Sequence, residues 1–333
     1  MRKIYFLLPG TKGKFGGGGL WAELKTVQLA QKICDAEIVT YKQREPDKLF
    51  LVDILDSVNP QNHLFVVSWG FDVPKLISLL KNQAVIYHAH SADYGFKIPA
   101  NIPIVAVSRN TMGYWGEQAA SSLIYYLPNH LGTEFYDYGQ PRDIDVLVQK
   151  RKSSNYLLTT LVPALQVRCK VEIVDGYVED LAALFNRSKV YLYDSAEYWK
   201  VSGVTEGFGL PPLEAMACGC QVFASLNHAL ADYLDPGFNC HKISCYSPKY
   251  DLEQILKVVD SGSKFSHSQL FWAQYQEDNL ITRLQVILAE INDFFDRQAE
   301  LKPLINGLDF WLVQRLKMQR ICLLYTSPSP RDS

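Results

Sequence analysis

Short runs rich in Val, Ile and Tyr alternate with helix-spaced apolar positions along this whole 333-residue chain, and no other feature constrains its fold as tightly. Strands that are apolar at nearly every position have both faces covered, and strands separated by helices return in parallel, so the pattern reads as α/β architecture with parallel sheets. The first half predicts strands at Lys3–Leu8, Ala36–Tyr41, His63–Ser68, Ala84–His88 and Ile102–Val107, with helices over Trp21–Cys34 and Val73–Lys81. A Pro-, Gly- and Asn-containing stretch from Pro128 to Pro141 then interrupts the pattern and reads as a connector. A second series follows, with strands at Ile144–Val148, Val171–Val174, Val190–Tyr193 and Gln221–Ala224 and helices over Asn155–Gln166, Val178–Phe185 and Leu213–Ala217.

Two halves built alike suggest two Rossmann-like domains, 1–130 and 142–275, with a cleft between them. Ligands of open α/β sheets sit beyond the carboxyl ends of the strands, so that cleft is the expected site. Residues 276–321 read as C-terminal helices. Within them Ile281, Leu284, Ile287, Leu288 and Ile291 recur at helical spacing, the pattern of a helix packing back on the first domain. Residues 322–333 lack a core pattern, resemble a translated cloning adaptor and are read as a non-native tail.

Apolar residues make up 48% of the chain, enough for two cores, while 33 Lys and Arg against 35 Asp and Glu leave a net charge of -2. That balance gives no global field for nucleic acid, so an anionic ligand must be met by a local site. The apolar run at the amino terminus stops at Pro9, too early for a secretory signal, and seven scattered cysteines suit a reducing cytoplasm better than a disulfide framework. Cys218 with Cys220, or Cys240 and Cys245 with His241, lack the spacing of a zinc knuckle, so no metal and no cofactor is expected. Leu301–Ile321 is apolar with Lys302, Arg315, Lys317 and Arg320; it reads as a packing helix, with peripheral contact at the inner membrane face as the second option.

The chemistry concentrates between Thr205 and Ser225. Gly207 and Gly209 let the main chain approach a ligand closely, and the N–H groups of Gly207, Phe208, Gly209 and Leu210 could meet phosphate oxygens at a helix start. Pro211 and Pro212 preset the first turn of that helix and Gly219 ends it. Glu206 precedes the helix and Glu214 lies one turn inside it, so two carboxylates can flank one phosphate corner, each able to accept from two hydroxyls of a sugar or ribose. The alternative is a capping acid and a solvated helix residue.

This string resembles the signature of retaining GT-B glycosyltransferases, in particular glycosyltransferase family 4, in which one Glu follows another after seven residues. The resemblance implies the GT-B fold and transfer of a sugar from a nucleotide-diphosphate sugar, as co-substrate, to the hydroxyl of an unidentified glycan, lipid or small-molecule acceptor with retention of configuration. It assigns Glu206 to the transferred sugar, Gly207 to Leu210 to hydroxyls and phosphates, and Glu214 to the ribose. Gly16 to Gly19 resemble the family's glycine-rich loop, which puts Gly17 and Gly18 beside the diphosphate. Of the two histidines ending the strand near Ala84, His90 is favoured over His88 as the family's histidine near the reacting sugar. The family's Gly-Arg pair and following Lys are absent; Lys150, Arg151 and Lys152 are bunched instead, leaving open which one meets the diphosphate. Ala196 to Thr205 is an insertion in which Tyr198 and Trp199 shape a sugar subsite or simply pack. A sugar-nucleotide epimerase on the same fold and a non-catalytic sugar-nucleotide-binding protein remain the competing readings.

Overall fold

The computed structural model describes residues 1–243, 247–262, 265, 267–298 and 310–326. Its first sheet has seven parallel strands: β1 (Lys3–Leu8), β2 (Ala36–Thr40), β3 (Leu49–Phe50), β4 (His63–Val67), β5 (Val85–Ala89), β6 (Ile104–Ala106) and β7 (Ile124–Tyr126), in the order β3-β2-β1-β4-β5-β6-β7. The second has five: β8 (Ile144–Gln149), β9 (Val171–Val174), β10 (Ser188–Tyr193), β11 (Gln221–Ala224) and β12 (His241–Lys242), in the order β12-β11-β10-β8-β9. Every pairing is parallel. Both orders are doubly wound: the chain leaves β1 toward one edge and returns to lay β4 on its other side, and β8 and β10 repeat the device. These reversals, β1/β4 and β8/β10, are where the fold opens a crevice.

Helices cover both faces of each sheet, which is why β1, β4, β5, β8 and β10 are buried at nearly every position. In the first half, Ile4, Phe6, Leu64 and Ile86 pack on one face with Leu280, Leu284, Ile287, Leu288 and Ile291 from the helix Glu277–Arg297. That helix therefore lies on the first sheet although it follows the second in sequence. Arg2 ties the start of the first strand to that helix, its guanidinium donating to the Asn292 carbonyl at 3.1 Å and to Asp296 at 2.7 Å.

The structure differs from the sequence expectation at several helices. Over Asn155–Gln166 the turn Leu157–Leu161 widens to a π-helix before the helix Val162–Gln166, because Pro163 has no N–H and its ring crowds the preceding turn. Arg109–Gln118 and Pro248–Ser261 are helices absent from that expectation; the first has no clear apolar repeat, whereas the second carries Leu252, Ile255, Leu256 and Val259 at helical spacing. Each begins at a serine, Ser108 or Ser247, whose hydroxyl accepts an N–H of the first turn. A helix Phe310–Thr326 runs into the segment read as a tail, and residues 327–333 lie outside the described residues. No helix among the described residues is long and apolar enough to cross a membrane.

Candidate active site

The carboxyl ends of β5, β8 and β10 meet at one place. Just beyond β5, the Ser91 hydroxyl donates to the Thr205 carbonyl at 2.6 Å and the Ala92 N–H donates to the Thr205 hydroxyl at 3.0 Å. These bonds join the two halves one residue before Glu206. Gly207 then passes so close to the first half that a Cβ on it would lie 1.4 Å from the His90 carbonyl oxygen. Only a residue without a side chain lets the two main chains touch there.

Glu206 is buried, and the second half supplies its partners. Its Oε2 accepts from the Tyr193 hydroxyl at 2.5 Å, the Trp199 indole N–H at 2.6 Å and the Ser195 hydroxyl at 3.3 Å. Tyr193 ends β10, Ser195 follows it, and Trp199 lies on the inserted helix Ala196–Ser202. Oε1 faces the Lys152 ammonium at 3.4 Å, and that ammonium also sits 4.3 Å from the Trp199 ring centroid. Burial lowers the Lys152 pKa, with the Glu206 charge opposing. The carboxylate is thus held in place by four donors, with accepting capacity left on Oε1.

From Glu206 the chain turns at Gly209, φ +81°, into the helix Leu210–Ala217. The left-handed φ favours glycine there, and a Cβ, 2.4 Å from Leu230 Cδ2, would also force that buried side chain to shift. Among the described residues, none of the N–H groups of Gly207, Phe208, Gly209 and Leu210 donates to a protein acceptor. The Phe208 side chain points away, stacking on Tyr233 with ring centroids 5.7 Å apart. Glu214 is buried, and its carboxylate makes no hydrogen bond or ion pair among the described residues. Burial pushes its pKa to about 7, opposed by Lys25 of the first half and assisted by Glu134.

On the facing side the structure brings a residue that sequence reasoning missed. Glu23, 1% exposed on the helix Gly18–Gln31, places Oε2 2.6 Å from His88 Nδ1 and 2.7 Å from His90 Nε2. Burial pushes the Glu23 pKa up, but the charge of His88 and the hydrogen bonds of both rings outweigh it and hold the carboxyl well below its ordinary range. Burial lowers the His90 pKa and His88 adds to the effect, while Glu23 opposes it. The three groups carry metal-ligand atom types within 4.8 Å of one another. Their spacing is that of hydrogen bonds: two ligands at ~2.0–2.1 Å from one tetrahedral ion would stand about 3.3 Å apart. The only sequence sign of Glu23 is an acid in an otherwise apolar helix face beside Leu20, Ala22 and Val27.

Gly17 precedes, and Gly18 begins, the helix that carries Glu23; a Cβ on either would meet open space, so no packing demand explains them. Of the bunched cations, Lys152 faces Glu206, helped there by a left-handed φ of +67°. The structure does not bring Lys150 or Arg151 to Glu206: Lys150 pairs with Asp175 at 2.6 Å on the surface, and Arg151 is exposed. Cys218 and Cys220 are buried thiols in no disulfide, the latter donating to the Phe185 and Ser188 carbonyls, and Cys245 lies outside the described residues.

Two doubly wound parallel sheets facing each other across such a corner define the GT-B fold with two Rossmann-like domains. Solved glycosyltransferases share it across nearly their whole length. One from Rickettsia africae superposes with a TM-score of 0.59 at 12% identity, covering 87% of this chain and 98% of the other. HepE of Anabaena, solved in complex with UDP and glucose, gives a TM-score of 0.54 at 14% identity, covering 90% and 99%. Within the second domain, residues 151–268 match the family model "Glycosyl transferases group 1". The serotype-specific mannosyltransferase WbdA of Escherichia coli is 33% identical over 87 residues, which span 25% of this chain and 9% of WbdA.

Proposed function

We propose that this chain is a retaining hexosyltransferase that moves a sugar from a nucleotide-diphosphate sugar to an acceptor hydroxyl. The observation that carries this reading is the run of four N–H groups, Gly207 to Leu210, left without protein acceptors beside two buried carboxylates at the contact between domains. Such donors suit a diphosphate at a helix start. The group 1 match over residues 151–268 covers the same corner, and UDP and glucose, bound in the HepE complex, are of the class it would take.

On this reading the diphosphate lies against the Gly207–Leu210 N–H groups with Lys152 as the nearest cation, and Gly17 and Gly18 approach it from the other domain. Glu214 accepts from the ribose diol. The free lone pairs on Glu206 Oε1 and the His90 ring accept hydroxyls of the transferred sugar. The bond from the anomeric carbon to the phosphate oxygen breaks as the acceptor oxygen bonds to that carbon from the same face, and the acceptor's proton passes to the leaving phosphate. Closure of the domains supplies proximity and excludes water.

The test is Glu206→Gln in the full chain. The amide keeps the shape but is a weaker partner for its donors, so transfer from the donor that best stabilises the wild type in a thermal-shift panel of nucleotide sugars falls by on the order of 10²-fold. Thermal stabilisation by that donor persists. A donor that binds while Glu206→Gln turns over at the wild-type rate removes Glu206 from the reaction, and binding with no turnover by the wild type across acceptors replaces the enzyme with a binding protein.

A further inference from the structure

Glu23 has no place in the reaction described so far, yet it is the most deeply buried acid in the site, at 1% exposure. Burying a carboxylate in an apolar helix face costs far more than burying an alkyl group of the same size, unless fixed donors compensate it. Here the donors are two imidazoles, and one carboxylate oxygen takes both. An ionised carboxylate only accepts, so each nitrogen that faces it carries a proton. His90 therefore bears its proton on Nε2, and Nδ1 is left as a bare acceptor.

We infer that Glu23 is a positioning residue: its carboxylate selects the Nε2–H tautomer of His90 and holds the ring where the His90 main chain meets Gly207, so that Nδ1 accepts a hydroxyl of the transferred sugar. The choice matters because the other tautomer would present an N–H donor at the same spot. His88 makes the second bond to the same oxygen and stops the carboxylate from turning away. Glu23 Oε1 and His88 Nε2 are both buried without a partner, which is the cost of orienting the group toward His90. The lowered His90 pKa agrees with a neutral ring. Glu23 also couples His90 to the glycine-rich turn, since Gly18 begins the same helix.

This inference rests on the reading of His90 given above, and its test separates the two. In full-length protein labelled with ¹⁵N-histidine, with His90 assigned by comparison with His90→Gln, the wild-type ring shows the Nε2–H tautomer at neutral pH. Glu23→Leu fills the space without an acceptor; the His90 signals then shift toward a tautomer mixture, and kcat for transfer falls roughly tenfold to a hundredfold with donor KM within about threefold. Glu23→Gln, which removes the charge and keeps the shape, gives the same changes in smaller degree and serves if the leucine variant does not fold. A wild-type His90 that carries its proton on Nδ1, a tautomer unmoved by both substitutions, or an unchanged kcat once the tautomer is released each overturns the inference. The spectra report the tautomer whether or not a donor is turned over. A silent Glu206→Gln and a silent Glu23→Leu are therefore distinct results.

Discussion

Gly207→Ala tests the contact on which the whole corner depends. A Cβ built on Gly207 lies 1.4 Å from the His90 carbonyl oxygen and 3.3 Å from Ser91 Cα, against a floor of 3.0 Å for real Cβ contacts. The nearest obstacle is main chain of the other domain, so no side chain can rotate aside. The domains must separate locally by about 1.6 Å to clear it. That motion also strains the bonds from Ser91 and Ala92 to Thr205, and it withdraws His90 from Glu206. A displacement of ~1 Å in a reacting assembly can cost on the order of 10²-fold in rate, so kcat/KM for transfer falls by at least about that much. Each domain keeps its own core, so secondary structure by circular dichroism and the main unfolding transition stay close to wild type. Small-angle scattering shows a larger radius of gyration. An alanine variant with wild-type kcat/KM and unchanged scattering would refute the close approach and the closed corner built on it.

Lys152→Met removes the ammonium beside Glu206 and over the Trp199 ring while keeping an unbranched side chain; donor KM, read by initial rates, rises by about tenfold and by more than in Lys150→Met, whose cation pairs on the surface with Asp175. Glu214→Gln tests the buried carboxyl with a pKa of about 7. Its folded pKa lies above the unfolded value, so its contribution is fully present below about pH 4.5 and is lost as pH rises through about 7, a penalty of about 3 kcal/mol at most when it is ionised. The variant therefore melts higher than wild type at pH 8 and not at pH 5 when no donor is present, and it binds donor more weakly; equal melting differences at both pH values would contradict the unpaired burial.

Much of the scaffold is legible in the chain itself, because periodicity is a local property. Strand cores such as Val171–Val174 and Gln221–Ala224 stand in the structure with the bounds the apolar runs suggest, and Glu277–Arg297 closely follows its 3.6-residue repeat. Where local signals are weak, the reading fails for definable reasons. Arg109–Gln118 contains two glycines and few apolar residues, so its cap at Ser108 and one buried aromatic, Trp115, do what a repeat does elsewhere. At Asn155–Gln166 the repeat is present, and Pro163 alters the hydrogen bonding without altering the pattern.

At the candidate site the division is sharper. The string from Glu206 to Glu214 is contiguous, and its glycines and prolines prescribe a turn into a helix wherever that segment lies, so the residue sequence by itself determined the corner, its two acids and its row of N–H groups. Which cation faces Glu206, that Trp199 and Tyr193 grip its carboxylate, and that Glu23 joins His88 and His90 were decided only by tertiary structure. Those contacts connect residues on separate strands and on opposite domains. Their partners are chosen by where parallel strands end in space, a quantity that no spacing along the chain encodes.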